Sequence, residues 1–323
     1  VGLNTGWVPT FNEANVSLFD GCLSYSYPIE VPDGVGGLRP DLSLTYNSRR
    51  VDGIASWVQA DWLGLGWTVD TIEIVRDLFQ PKYSWYPGGT LQLETGSVYW
   101  GNRYSLLYKG TRYPLIPSTP NARGRYHTQN DQFLYIERRN NTTICSIPGN
   151  PSPLNETGEY WIVRLQDGTE YRLGYTEDAE QTFYTWMYGL DYILECDVDV
   201  PESYAGHWNN RVAYRWRVDS ITTTQGITMG FTYEEEQTSY PPTYYYNFRE
   251  NASYLRKISY NRDPNTGRMQ TEIWFDRATR GNDGSTLWNA SNAYFFQRDY
   301  LDKVRIENWN GSSYETLREY RFT

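Results

Sequence analysis

The residues able to do chemistry in this chain are few and scattered. His127 and His207 are its two histidines, and neither has a motif partner close by in sequence. A Ser-His-Asp triad assembles through the fold, yet no G-x-S-x-G elbow marks a nucleophile, so both read as surface or hydrogen-bonded side chains. Carboxylates gather at Asp191, Glu195, Asp197, Asp199 and Glu202. On a strand, Glu195, Asp197 and Asp199 share one face. Such a row could supply oxygen ligands to Ca²⁺ or the paired carboxyls of a glycosidase. A solvated strand face in an acidic protein is the reading adopted. Asp263-Pro264-Asn265-Thr266-Gly267 has a glycine one position too early for a calcium loop and reads as a turn. The aromatic run 240–248, with Trp85-Tyr86 and Trp186-Met187-Tyr188, offers stacking surfaces to sugars or protein partners. Cross-strand aromatic ladders are the simpler reading. Cys22, Cys145 and Cys196 have no CxxC spacing, which argues against zinc. They leave two alternatives, three buried thiols or one disulfide with a thiol left over. No catalytic, cofactor-binding or metal-binding residue is assigned.

The elements around these residues read as short strands. Leu23 to Val31 and Leu42 to Tyr46 alternate with period two and flank a turn built from Pro32, Asp33, Gly34, Gly36, Gly37 and Pro40. The segment Trp62-Leu63-Gly64-Leu65-Gly66-Trp67 follows, its glycines marking a bulge or a close backbone approach. A third alternating run covers Thr68 to Val75. Further turn signals recur at Pro87-Gly88-Gly89, Gln166-Asp167-Gly168, Gln225-Gly226, Asn265-Thr266-Gly267, Asn282-Asp283-Gly284 and Asn310-Gly311. Four hairpins are expected: 160–174, 216–233, 255–276 and 301–322. Asp178 to Tyr188 carries a weak helical period and is equally compatible with a strand.

Composition agrees. Aromatic residues make up 17% of the 323 residues, and aromatics favour pleated surfaces. The net charge of −10 argues against nucleic-acid and anionic-membrane partners. No run approaches the ~18 apolar residues needed to span a bilayer. No basic and apolar leader opens the chain, so Val1 reads as a mature or trimmed start. Asn15, Asn140, Asn141, Asn155, Asn251, Asn289 and Asn310 each begin an N-x-S/T triplet, against roughly three or four expected by chance. This excess points to a secreted or cell-surface glycoprotein with those seven asparagines as acceptors.

The block Phe19-to-Ser48 and the Leu63-Gly64-Leu65-Gly66-Trp67 phrase closely resemble the opening of the SpvB/TcaC-type N-terminal domain of the Rhs/YD-repeat superfamily, which includes proteins like the B component of Tc insecticidal toxins. That family typically begins "sYsyPi.vPpG.gGl.P.lsLsYnS" and continues "lGlGW.l". The later hairpins are similar to its "W.v...dG..y.fG" and "yL..I.Y" phrases, so the resemblance covers most of residues 19–323. It implies an architectural role, a β-shell around toxin cargo, with toxin activities in separate C-terminal domains. Glu234-Glu235-Glu236 matches an ADP-ribosyltransferase E-x-E pair only formally, since the accompanying Arg and S-T-S elements are not recognisable.

The expectation is therefore an all-β chain with little helix: an antiparallel hairpin meander forming one large curved sheet over 19–323, after an extension over 1–18. Gly34, Gly36, Gly37, Trp62, Gly64, Gly66 and Trp67 are expected to carry its opening motif structurally. The expected function is non-enzymatic scaffolding, with strand addition to other chains or to a downstream part of the polypeptide. The final strand reads as unfinished and, with a strand over Asn4–Val16, is expected at a sheet edge or chain contact. A carbohydrate-binding or cell-surface module using exposed aromatics is the alternative, with glycans as partners. A glycosidase using the 191–202 carboxylates is the third reading.

Overall fold

The computed structural model describes residues 14–16, 21–52, 61–69, 71–78, 83–86, 90–93, 100–118, 124–140, 155, 157–186, 209–237, 250–280 and 297–322. In chain order the strands are β1 (Asn15–Val16), β2 (Leu23–Pro28), β3 (Ser43–Asn47), β4 (Trp67–Val69), β5 (Glu73–Leu78), β6 (Tyr83–Tyr86) and β7 (Thr90–Leu93). They continue as β8 (Trp100–Tyr108), β9 (Thr111–Pro117), β10 (Gly124–Thr128), β11 (Tyr135–Asn140), β12 (Glu159–Arg164), β13 (Glu170–Leu173) and β14 (Glu180–Trp186). The last are β15 (Asn209–Thr222), β16 (Thr228–Gln237), β17 (Glu250–Arg262), β18 (Met269–Thr279), β19 (Asp299–Trp309) and β20 (Tyr314–Arg321). Helix among the described residues amounts to α1 (Arg49–Asp52) and two 3₁₀ turns, Val35–Gly37 and Glu177–Ala179.

The chain is all-β, as its alternation dictates, but the curved sheet is not open. Strands β5, β8, β9, β10, β11, β12, β13 and β15 close an eight-stranded antiparallel barrel, because β13 pairs back onto β15. Closure is consistent in register. The paired rows Trp216–Ile74–Leu106, Tyr104–Leu115–Thr128, Ile136–Val163–Tyr171 and Trp161–Leu173–Val218 all point inward. Closure removes the edges that a flat array of hairpins would expose, and strand twist favours it.

Strand β15 is long enough to belong to more than the barrel. Along one edge it pairs β14 through 209–216 and β13 through 218–222; along the other it pairs β5 through 215–217 and β16 through 220–222. From β16 an antiparallel array β16-β17-β18-β19-β20 runs outward. The four expected hairpins are β12–β13, β15–β16, β17–β18 and β19–β20. The 178–188 segment takes the strand option, a 3₁₀ turn followed by β14.

A separate four-stranded sheet, β1-β2-β3-β4, carries the opening motif. The β2–β3 hairpin forms as expected, and β1, inside the expected extension, pairs with β2. One expectation fails locally: Thr68 to Val75 is not one strand, since β4 ends in this sheet and β5 begins in the barrel. Residues 61–66 are tandem turns, closed by Gly64 N–H to Asp61 O at 2.8 Å and Trp67 N–H to Gly64 O at 3.3 Å, so the glycine segment takes the close-approach alternative rather than the bulge.

Gly66 shows why the motif is built this way. Its φ is +80°, and a Cβ there would lie 2.6 Å from Tyr46 Cε2 and 3.0 Å from Val51 Cγ2. Tyr46 cannot easily yield, because it packs on Trp67 with ring centroids 5.5 Å apart. At Gly64 the φ is +101° but the nearest atom is 3.9 Å away. Gly64→Ala should therefore cost only the backbone penalty, about 1–2 kcal/mol. Gly66→Ala should cost about 1–3 kcal/mol more through overpacking. Urea unfolding of the two variants checks this; equal losses would remove the Tyr46 contact as the cause.

Candidate functional site

Four places in the fold concentrate polar or aromatic side chains, and each is built by strand register. The first is the barrel interior. Tyr104, Tyr126, Trp161 and Trp216 come from β8, β10, β12 and β15 and meet edge-on or tilted, with centroids 4.9 Å apart for Tyr104–Trp161 and 5.8 Å for Trp161–Trp216. An eight-stranded barrel is just wide enough for side chains to fill it. Arg76 donates to the Tyr104 hydroxyl at 2.9 Å and pairs with Glu159 at 3.3 Å; Arg138 pairs with the same carboxylate. Both guanidiniums also lie 5.3 Å from the Tyr104 ring centroid. Trp216 Nε1–H donates to the Glu159 carbonyl at 3.2 Å.

The second place is a buried ionic seam on the outward face of β15, where alternation turns Arg215 and Arg217 away from the barrel. Glu73 of β5 pairs with Arg215 at 2.8 Å and Arg217 at 3.6 Å. Burial opposes ionisation of Glu73, but the two arginines outweigh it and hold the carboxyl below its usual range. Arg217 continues to Ser253 Oγ of β17 at 2.9 Å and lies over the Tyr233 ring of β16. Asp219 sits at an irregularity in the β13–β15 register, its side chain 1% exposed. It accepts from Arg172 at 2.6 Å and from Tyr175 N–H at 2.8 Å. Burial exceeds these favourable contacts, and the Asp219 pKa is pushed up to about 6. Asp178, the neighbouring carboxylate, accepts Tyr233 N–H at 2.7 Å.

The third place is the seat of the opening motif on the outer array. Tyr260 donates to Pro32 O at 2.7 Å, and Asn261 accepts Val35 N–H at 2.7 Å while donating to Thr271 Oγ1 at 3.0 Å. Asn261 holds φ +61°, a conformation asparagine tolerates better than most residues. Gly34 allows the loop to close: a Cβ there would overlap Leu38 O. Trp62 is buried against Tyr254 and Phe275, and Trp62 O accepts Leu301 N–H at 2.8 Å. Trp67, half-buried, packs on Tyr25 and Tyr46 in its own sheet.

The fourth place is the far side of the array and its last strand. Lys257–Glu272 at 3.1 Å, Asp276–Arg305 at 2.5 Å and Asp276–Lys303 at 3.8 Å cross between β17, β18 and β19. Trp274 lies between Arg256 and Lys257, 5.1 and 4.8 Å from its ring. Among the described residues β20 pairs only with β19.

These places account for some of the sequence-level candidates. His127 is on β10, with Ser118 Oγ 3.3 Å from Nδ1. Glu234 pairs with Arg277 at 2.7 Å and Glu236 accepts from the Tyr254 hydroxyl at 2.6 Å, so the E-x-E residues belong to the array. Asp263 caps its own turn through Asn265 and Thr266 N–H. Cys22 is half-buried and donates to Asn47 Oδ1. Asn155 is a correction: it is 2% exposed, and its Nδ2 donates to Glu159 O and Gly174 O at 2.7 Å each, so the amide a glycan would use is consumed inside the fold. Asn310 is exposed in the β19–β20 turn, while Asn15, Asn140 and Asn251 lie in β1, β11 and β17. Asn141, Asn289, Cys145, Cys196, His207, the 191–202 carboxylates and the 240–248 aromatic run lie outside the described residues. Glu159, Asp219 and Asn261 were missed, since nothing in one strand's pattern shows what a distant strand places beside it. Among the described residues no helix is long and apolar enough to cross a membrane.

No family model matches the chain, and no curated protein matches it. Solved structures do. A crystal structure of TcdB2-TccC3-TEV shares the fold with a TM-score of 0.53 and 13% identity over 99% of this chain. TcdB2-TccC3 matches at 0.50 and 13% identity over 95%. The chain spans 15% of the length of each of those proteins. The N-terminal domain of the effector protein SpvB from Salmonella typhimurium strain LT2 matches at 0.47 and 15% identity, covering 92% of this chain and 98% of that one.

Two measurements test the buried charges. Glu159→Gln removes the carboxylate that the buried Arg76 and Arg138 share and should cost about 3–5 kcal/mol in urea unfolding; a loss under 1 kcal/mol would show that the trio is dispensable. Asp219 is protonated more readily folded than unfolded, where its pKa is about 3.9. Its contribution is complete below that value and disappears as pH rises through about 6. The stability of the parent relative to Asp219→Asn should thus fall by about 2–3 kcal/mol between pH 4 and pH 7. A difference that is flat with pH would contradict the assignment.

Proposed function

We propose that this chain is a non-enzymatic scaffold module, a segment of a β-shell in a secreted, toxin-related assembly. The observation that carries the reading is the division of labour around β15: a barrel closed on itself and packed with side chains, and an antiparallel array β16-β17-β18-β19-β20 laid outward from it among the described residues. The barrel supplies a rigid base, and the array supplies a surface on which further strands can be laid. The fold shared with TcdB2-TccC3 supports this, as does the resemblance of the Gly34–Pro40 and Gly64–Trp67 blocks to the SpvB/TcaC-type domain. Partners on this reading are protein strands, and the place of action is outside the producing cell.

The competing readings are enzyme and glycan binder. The purified chain should turn over none of a panel of fluorogenic glycosides and should give no glycan-array signal. Turnover abolished by Asp197→Asn would establish the glycosidase instead. A glycan signal lost in Trp274→Ala would establish the binding module.

A further inference from the structure

We propose that the segment 175–179 is a proton-sensitive latch across the join of barrel and array, one that holds more firmly when Asp219 carries a proton than when it is ionised. The inference goes beyond the scaffold reading and does not rest on it.

The latch is built where β15 exchanges partners. Ser220 pairs with Arg172 and Val218 with Leu173, which leaves Asp219 as the extra residue of β15 at the barrel's closing seam. An extra residue in one strand re-aims its side chain. The Asp219 carboxyl reaches the segment that leaves β13: Arg172 Nε donates to one oxygen at 2.6 Å and Tyr175 N–H to the other at 2.8 Å. Beside them, Gly174 N–H donates to Arg217 O at 2.8 Å. Three residues beyond Tyr175, Asp178 accepts Tyr233 N–H at 2.7 Å, where β16 has already parted from β15. One short segment is thus tied to the barrel by Asp219 and to the first strand of the array by Asp178.

The surroundings of Asp219 favour the neutral carboxyl. Its side chain is 1% exposed, so burial penalises ionisation. The cation facing it, Arg172, is 33% exposed and lies 4.0 Å from the Tyr175 ring centroid, so it keeps water and an aromatic face when the ion pair is gone. Tyr175 N–H needs only an acceptor oxygen, which a protonated carboxyl still offers. Asp178 sets a second carboxylate nearby. From β16 the facing group is Tyr233, with Arg217 and Glu73 beyond it paired to each other, and Glu177 of the 3₁₀ turn is exposed. Burial, with Asp178 adding to it, outweighs Arg172 and the Tyr175 N–H and pushes the Asp219 pKa up to about 6. In an opened latch the carboxyl is solvated and returns to about 3.9. A pKa higher closed than open favours the closed latch at low pH; that advantage is complete below the open value and is lost as pH rises through about 6. The equilibrium constant for opening therefore rises roughly 50-fold between pH 4 and pH 7.

Amide hydrogen exchange of the purified chain, corrected at each pH for the intrinsic rate, tests the latch. The amides of Gly174, Tyr175 and Tyr233 should exchange through a local opening, with less protection than those of Leu106 and Val163 inside the barrel sheet. Their opening constant should rise roughly 50-fold from pH 4 to pH 7. Asp219→Asn, whose amide oxygen still accepts from Tyr175, should hold opening near the parent's acid value throughout. Arg172→Gln removes the cation that favours ionisation, so the transition should move to higher pH; this variant reports on the latch even where the asparagine variant does not fold. Protection equal to that of the barrel amides, opening that is flat with pH in the parent, a pH profile that survives in Asp219→Asn, or a transition unmoved by Arg172→Gln would each overturn the latch. None of these outcomes bears on the scaffold reading, which turnover and glycan binding decide.

Discussion

The larger sheet depends on one strand serving both its barrel and its array. β15 has only two edges, yet it must close a barrel and launch an array. It does so by changing partners along its length, and the changes fall near residues 213–220, where register irregularities occur opposite β13 and β14. Irregularities of this kind sharpen local twist, which is what lets one strand leave a closed surface and enter an open one.

The same geometry explains why the densest charge in the interior lies there. A strand buried on both faces usually carries apolar residues throughout. β15 instead turns Trp216 and Val218 into the barrel and Arg215, Arg217 and Asp219 toward the array. Removing those charges from water is costly, so each is paired: Glu73 for the arginines, Arg172 and a backbone N–H for Asp219. Because the partners come from β5, β13 and β17, the seam ties barrel to array through directional contacts that admit few alternative packings. Burial raises the pKa of both carboxyls, but Glu73 ends below its usual range because two arginines face it, while Asp219 ends above because it meets one and has Asp178 nearby.

The opening motif works on the same join from outside. The Pro32–Gly37 loop is fixed to the end of β17 by Tyr260 and Asn261, and Trp62 is fixed to β17, β18 and β19 by packing and a backbone bond. Its glycines thus serve close approach as much as turning. At Gly66 the obstacle is Tyr46 of the neighbouring strand, and at Gly34 it is the loop's own carbonyl.

Local pattern by itself determined the all-β class, the four later hairpins and the β2–β3 hairpin, because alternation and turn residues act over a few positions and need no knowledge of distant chain. It also singled out Gly34, Gly66 and Trp62 as structural positions. Only the tertiary structure decided that the sheet closes, that Thr68 to Val75 divides between two sheets, and that Asn155 is an interior hydrogen-bonding residue. Each of these turns on which strand lies beside which. Period-two alternation gives the face a residue occupies, but not its neighbour across the sheet. Closure depends on β13 meeting β15 some fifty residues later in the chain. The pairing of Arg76 and Arg138 with Glu159, and of Arg172 with Asp219, follows from that meeting.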